Sequence, residues 1–326
     1  MNIAAVVPVW NGREHLERLI GSLERQTRPA GELIVVDNGS TDGAPQLARL
    51  RGARVIPMGT NAGFAPAVNR GIRECRAPWI AVLNSDVELA PDYFEKLEAT
   101  GAPFTTGKLL QPDSTIVDGT FDAVSRAAAA WRVGSGRADG PGFSQRQTIF
   151  SAPFTAALFR AETFHRVGPL EERFESYLED VDFGLRCAAL GVQGVYEPAA
   201  VAWHRGSATL GRWHPDTVRR IARNRIFLLA RHYPSSLLMR WLWPILIGQL
   251  LWGGVALRHA TGFAWVHGVI QGLSGFRQMR KTSSQMDETV LIKTLSAQER
   301  VIRDLQRSNG YDAYWRLYFL LTGGGA

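Results

Sequence analysis

From Ile3 to Leu83 the chain alternates short, continuously apolar runs with segments whose apolar residues recur at helical spacing. This alternation constrains the fold more than any other feature. Ile3 to Pro8 is an apolar, β-branched run, and Glu14 to Arg25 then carries Leu16, Leu19, Ile20 and Leu23 on one helical face. The unit recurs as Leu33 to Asp37 with a helix over Ala44 to Arg51, then as Arg54 to Pro57 with a helix over Phe64 to Cys75. A last strand follows at Trp79 to Leu83. Strands without polar alternation are buried on both faces, so the pattern predicts an α/β fold with a mostly parallel sheet and helices on both faces. Ligands of such sheets collect beyond the carboxyl ends of the strands. At those ends stand Pro8 with Trp10 and Asn11, then Asp37, Asn38 and Ser40, then Asn61, then Asn84, Ser85 and Asp86.

Beyond residue 100 the pattern loosens, and Gly101 to Gly142 reads as short strands and loops. Ser151 to Arg160 predicts a strand passing into a helix at Ala161. A helix around Asp180 to Leu190 stops at Gly191, and Val192 to Tyr196 and Ala200 to His204 read as two further strands. Trp241 to Leu257 carries no formal charge but is interrupted by Pro244, and Thr261 to Phe276 is followed by Arg277, Arg280 and Lys281. A full membrane span takes about 20 residues. These stretches therefore suit an interfacial helix or helical hairpin lying on an anionic leaflet. The other reading packs them on the preceding α/β domain with their tryptophans as core. The tail from Thr282 is helix-prone to Asn309 and then aromatic, and is expected to dock on the body or on a second copy, as a homodimer through the C-terminal helices. The division expected is a first half over 1–100, a second half of the same domain over 101–232, and a helical extension over 233–326.

A formal charge of +7 favours anionic partners in general. With no zinc-finger spacing, RNP-like strand or isolated recognition helix, nucleic acid is not expected among them. Cys75 and Cys187 are the only cysteines, which argues against a disulfide framework or a cysteine metal site and fits a reducing, cytoplasmic setting. The opening apolar run stops at Asn11-Gly12 and lacks a basic flank, so it reads as the first strand rather than a secretory signal. No Gly-x-Gly-x-x-Gly joins the first strand to its helix, which counts against a dinucleotide-dependent oxidoreductase.

Five segments in order carry a resemblance: Val7 to Asn11, Val35 to Gly43, Asn61 to Ala65 with Asn69 and Gly71, Leu83 to Asp86, and Tyr177 to Asp182. Together they resemble glycosyltransferase family 2, of the GT-A fold, and within it bacterial rhamnosyltransferase-like members, over about the first 230 residues. The resemblance implies an inverting glycosyltransferase that moves a sugar, rhamnose among the candidates, from a dTDP- or UDP-sugar to a hydroxyl of a glycan or polyprenyl-diphosphate-linked acceptor. The context implied is cell-envelope polysaccharide synthesis, at the inner face of the cell membrane with peripheral contact to it.

By that resemblance the strand-end residues Pro8, Trp10, Asn11, Asp37, Asn38, Ser40, Asn61, Asn84, Ser85 and Asp86 bind the nucleotide sugar. Asp37 can accept a hydrogen bond from the imide N–H of uracil or thymine, although Asp37 to Gly43 is equally a turn whose Asp42 or Ser40 caps the next helix. Asn84-Ser85-Asp86 stands where related enzymes carry Asp-x-Asp and hold a divalent cation, Mg²⁺ or Mn²⁺. Asn84 removes one carboxylate, and Asp86 still serves, since a hard cation takes one or two carboxylates plus phosphate oxygens and water. His204 matches a histidine that completes the metal site in some members, with a buried structural histidine as the other reading. Asp180 is the expected base for the acceptor hydroxyl, with Glu179 orienting the acceptor or supporting it. Asp182 caps or salt-bridges the following helix. Arg219, Arg220, Arg223 and Arg225 either clamp phosphates or form a solvated face. A catalytically inactive nucleotide-sugar-binding scaffold is the alternative that Asn84 supports.

Overall fold

The computed structural model describes residues 3–206, 211, 213–283 and 285–323. They divide into two compact units. One holds Ile3 to Phe121, Gly134–Cys187 and Val192 to Gly206; the other holds Asp122–Val133, Ala188–Gly191 and the chain beyond residue 210.

In the first unit β1 (Ile3–Val9), α1 (Arg13–Glu24), β2 (Glu32–Asp37), α2 (Ala44–Leu50), β3 (Arg54–Pro57), α3 (Phe64–Glu74) and β4 (Trp79–Leu83) follow in the expected order. β1 pairs in parallel with β2 and β4, and β2 with β3, so Val9, Asp37, Pro57 and Leu83 end at one edge of the sheet. Both faces are covered. Ile3, Ala5 and Val7 pack with Leu16, Leu19 and Ile20 of α1. On the other face α3 lies so close that a Cβ on Gly71 would stand 2.4 Å from Val6 Cγ1. Each fully buried Leu or Ile of this core contributes about 1.5–3 kcal/mol.

The second part of the unit contains β5 (Val87–Leu89), α4 (Tyr93–Glu98), β6 (Phe104–Leu110) and β7 (Ile116–Gly119). The spatial order of the main path runs from β7 through β6, then Ala156–Arg160, β4, β1 and β2 to β3. The Ala156–Arg160 strand is antiparallel to both β4 and β6. The parallel arrangement therefore occupies β1 to β4, and the sheet is mixed beyond them. α5 (Ala161–Val167) follows directly on that strand, and α6 (Glu179–Ala189) comes after an irregular loop.

The two strands expected at Val192 to Tyr196 and Ala200 to His204 are one strand, Gly194–His204, whose register on β6 shifts between Glu197 and Val201. Pro198 lies inside the shift and has no N–H to donate, so the ladder skips there and resumes. The resumed part pairs antiparallel with β5 and sets His204 opposite Val87, the residue after Asp86.

The second unit holds a small hairpin, Asp122–Val124 with Ala130–Arg132, and six helices among the described residues: α7 (Pro215–His232), α8 (Ser235–Arg240), α9 (Leu242–Arg258), α10 (Gly262–Lys281), α11 (Glu288–Asn309) and α12 (Ala313–Thr322). α7 belongs with the helices that follow it, in the unit that takes up the chain from residue 210. The physical reason lies on α10: a Cβ on Gly268 would stand 2.2 Å from the Arg219 carbonyl oxygen, so the two helices meet backbone to backbone. The tail docks on its own unit, with Trp131 edge-on to Trp315 at 6.4 Å and Tyr318 donating to Glu299 at 2.8 Å.

Candidate active site

The strand-end residues of β1 and β2 interlock through one another. Asn11, with φ of 60°, donates its backbone N–H to Ser40 Oγ at 2.9 Å, and its side-chain Oδ1 accepts from the Thr41 N–H at 2.9 Å. Asp37 is buried and accepts from the Ser40 N–H at 2.8 Å, so its carboxylate shapes the turn that resemblance assigns to base recognition. Trp10 is half-buried beside them, while Pro8 is buried within β1, where it faces Val36 in the register.

Asn38 and Asn61 meet at Gly63. The Asn38 amide donates to the Gly63 carbonyl at 3.1 Å, and Asn61 Oδ1 accepts the Gly63 N–H at 3.1 Å. Gly63 has φ of +100°, and a Cβ there would press to 2.9 Å on the Glu175 carbonyl oxygen. This close approach joins the Asn61 to Ala65 segment to the loop before α6. The α3 amides complete the join: Phe64 N–H donates to Ser176 Oγ at 3.1 Å and Ala65 N–H to the Glu175 carbonyl at 2.8 Å. Two orphan donors of the α3 N-terminus are thus satisfied by the loop carrying the acidic pair.

That loop is strained. Glu175, Tyr177 and Leu178 all hold positive φ, at 59°, 74° and 67°. Non-glycine residues take this conformation at a cost of about 1–3 kcal/mol each, and such residues cluster at functional sites. Buried Glu179 and Asp180 follow at the first turn of α6, where the helix dipole favours negative charge. Asp182 pairs with Arg186 at 3.0 Å, one turn along the same helix.

At the β4 end Asp86 and His204 converge, with His204 Nε2 3.2 Å from Asp86 Oδ1. Asn84 Nδ2 lies 3.5 Å from the same nitrogen. The other ring nitrogen, Nδ1, is 2.7 Å from Asp118 Oδ2 on β7. Burial opposes charge on the imidazole, but the two carboxylates outweigh it and hold His204 up at about 9. Burial also pushes Asp86 upward; the hydrogen bond and charge of His204 outweigh this, with His15 adding to the effect, and hold the carboxyl below its ordinary value. Ser85, next to Asp86 in the chain, is half-buried.

The segment 151–155 ties this end to the acidic pair. Asn84 N–H donates to the Thr155 carbonyl at 2.8 Å, and Ser151 Oγ donates to the Asp180 carbonyl at 3.1 Å. These anchors are four positions apart, at most about 14 Å along the chain.

Asp86 and His204 fit a divalent cation. Among the described residues no group of three or more His, Cys, Asp or Glu side chains converges to hold a metal unaided. Asp118 faces the opposite ring nitrogen and so lies outside such a group. One carboxylate and one imidazole suit a cation that fills its remaining positions with diphosphate oxygens and water. A carboxylate on the far nitrogen is the usual support of a metal-binding histidine.

Sequence reading missed Asp118 and the Glu175–Ser176 contact. An Asp between Val117 and Gly119 reads as a turn residue, and only the β6 to β7 pairing carries it to His204. His15, on α1, was likewise without a signal.

The glycosyl transferase family 2 profile matches residues 4–168, half of the chain. The chain belongs to glycosyl transferase family 2. It is thus a glycosyltransferase, and its likeness is to rhamnosyltransferases. The N-acetylglucosaminyl-diphospho-decaprenol L-rhamnosyltransferase of Mycobacterium tuberculosis is 28% identical over 269 residues, 71% of this chain and 85% of that protein. The fold of this family 2 member is GT-A. GalNAc-T7, crystallised with UDP, GalNAc and Mn²⁺, superposes with a TM-score of 0.63 at 12% identity, over 95% of this chain. The chain spans 58% of the length of that larger protein. The mannosyltransferase PcManGT of Pyrobaculum calidifontis, in complex with GDP-Man and Mn²⁺, superposes with a TM-score of 0.51 at 15% identity over 98% of this chain and 86% of its own.

Proposed function

We propose that this family 2 glycosyltransferase moves a sugar, with inversion, from a dTDP- or UDP-sugar to a hydroxyl of a polyprenyl-diphosphate-linked glycan in cell-envelope polysaccharide synthesis. The observation that carries the reading is the tie, through segment 151–155, between Asp86 with His204 on one side and Asp180 on the other. Likeness to the mycobacterial relative favours rhamnose as the sugar and a lipid-linked acceptor. A lipid-linked acceptor would put the reaction at a membrane surface, the inner, cytoplasmic face in our reading.

The donor lies across the ends of β1, β2 and β4, with Asp37 at the base and Asn11 and Ser40 holding the turn around it. Asp86 and His204 would hold a Mg²⁺ or Mn²⁺ ion, whose charge would offset that left on the departing diphosphate. To ligate it, His204 would need Nε2 free of its proton. Asp180 takes the proton of the acceptor hydroxyl as the new C–O bond forms, and Glu179 orients that hydroxyl. With the base on the acceptor side and the diphosphate on the far side of the anomeric carbon, the displacement is in line and inverts.

The experiment is Asp180→Asn, read by donor calorimetry and by transfer to a lipid-linked acceptor. The expected result is unchanged donor affinity with transfer reduced about 10²–10⁴-fold. Undiminished transfer overturns the base assignment. A parent that binds donor without turnover favours the scaffold alternative.

A further inference from the structure

We propose that two apolar stripes, on α9 and α10, seat the second unit flat on an anionic lipid bilayer. The proposal deepens the membrane placement above and rests on it, but is argued from this unit alone.

On α9, Trp243, Leu246, Leu250 and Leu257 are all exposed. At 100° per residue they fall within about 80° of the helix circumference. On α10, Phe263, Val266, Ile270 and Leu273 are exposed and share a similarly narrow stripe, and Phe263 is 96% exposed. The inward side of α10 is already taken. Gly268 and Gly272 meet the backbone of α7, and Met279 is buried. The apolar residues thus stand on the side away from α7, and exposed apolar stripes of this size mark an interaction surface.

The helices are linked. Gly253 of α9 packs on the indole of Trp265 in α10, and Trp243 Nε1 donates to the Leu321 carbonyl of α12 at 2.9 Å. α12 adds Leu317, Leu320 and Leu321, all exposed.

Charge selects the occupant. The 70 residues from Thr217 to Met286 contain ten Arg and Lys and no Asp or Glu. Arg240 and Arg258 flank the α9 stripe, while Arg277 and Lys281 close the α10 stripe, all four exposed. A second copy would bring the same cations and no carboxylate from this stretch, so like charges oppose self-association here. Anionic headgroups complement them. No described helix is long and apolar enough to cross a membrane, so the stripes enter the headgroup boundary side-on.

The test is flotation of the full chain with vesicles of phosphatidylcholine alone or mixed with phosphatidylglycerol. The parent is expected to float with the anionic vesicles, less as salt is raised, and to remain below with the neutral ones. Leu250→Glu with Ile270→Glu should cut the bound fraction about tenfold. Leu50→Glu, a leucine 86% exposed in the first unit, should leave it unchanged and serves as the control. Circular dichroism and donor binding verify that the variants are folded, and flotation needs no transfer, so its failure leaves the catalytic reading standing. Absence of flotation by a folded parent overturns the proposal. So does a dimer in lipid-free sedimentation that the same stripe substitutions dissociate, because the stripes would then be a subunit interface.

Discussion

Asp118 Oδ2 stands 2.7 Å from His204 Nδ1, and Asp86 Oδ1 stands 3.2 Å from the opposite ring nitrogen. The imidazole is therefore fixed from both sides, and in the proposed site the cation would lie on the Asp86 side. Asp118, on the far nitrogen, would then be a positioning residue and not a ligand.

Asp118→Ala is expected to weaken Mn²⁺ binding about 10–100-fold, with Asp118→Asn in between because the amide oxygen still accepts from Nδ1–H. Electron paramagnetic resonance titration of Mn²⁺ in the presence of a nucleoside diphosphate checks this. Equal affinity in all three proteins would show that Asp118 does not support the metal ligand.

Gly63→Ala should destabilise the first unit by about 1–3 kcal/mol, because the new Cβ meets Glu175 backbone at a φ unfavourable to side chains. Thermal unfolding should fall by several degrees. Transfer should fall further than stability alone explains, since the Glu175–Ser176 loop carries the acidic pair. An unchanged melting temperature with full transfer contradicts the coupling of the two segments.

By sequence, Arg225 is one of four arginines that either clamp phosphate or face solvent. It is buried and donates to the Gly248 carbonyl at 3.1 Å and to Tyr314 Oη at 3.2 Å, joining α7, α9 and α12. Arg225→Ala is expected to cost about 1–3 kcal/mol through the acceptors it leaves and the cavity it opens. Donor affinity should stay at the parent value by calorimetry. A selective loss of donor binding at unchanged stability would restore the clamp.

Burial pushes the thiols of Cys75 and Cys187 up to about 12. A raised value keeps the protonated form until strongly alkaline pH, so at pH 8 only ~1 in 10⁴ of each is thiolate. Neither should react rapidly with Ellman's reagent in the native protein, and both should react in guanidinium. Fast stoichiometric labelling of the native chain would contradict the packing around them.

The parallel half of the sheet was legible because strands buried on both faces leave uninterrupted apolar runs such as Ile3 to Val9 and Trp79 to Leu83. The strands over Phe104 to Gly119 were not, because their pairing is set by partners distant in sequence and their runs are broken by Gly107 and Asp118. The same holds within the site. Asp37, Asp86 and Asp180 announce themselves at element ends. The partners that orient them, Asp118 for His204 and Glu175 for the Gly63 turn, come from long-range contacts that no local pattern records.

The account stands most directly on donor binding by the purified chain. Calorimetry against UDP-, dTDP- and GDP-sugars, with and without Mn²⁺, is predicted to show one preferred donor. Its binding should require the cation, survive Asp180→Asn and vanish in Asp86→Ala. No binding of any donor, or binding indifferent to both the cation and Asp86, would contradict it.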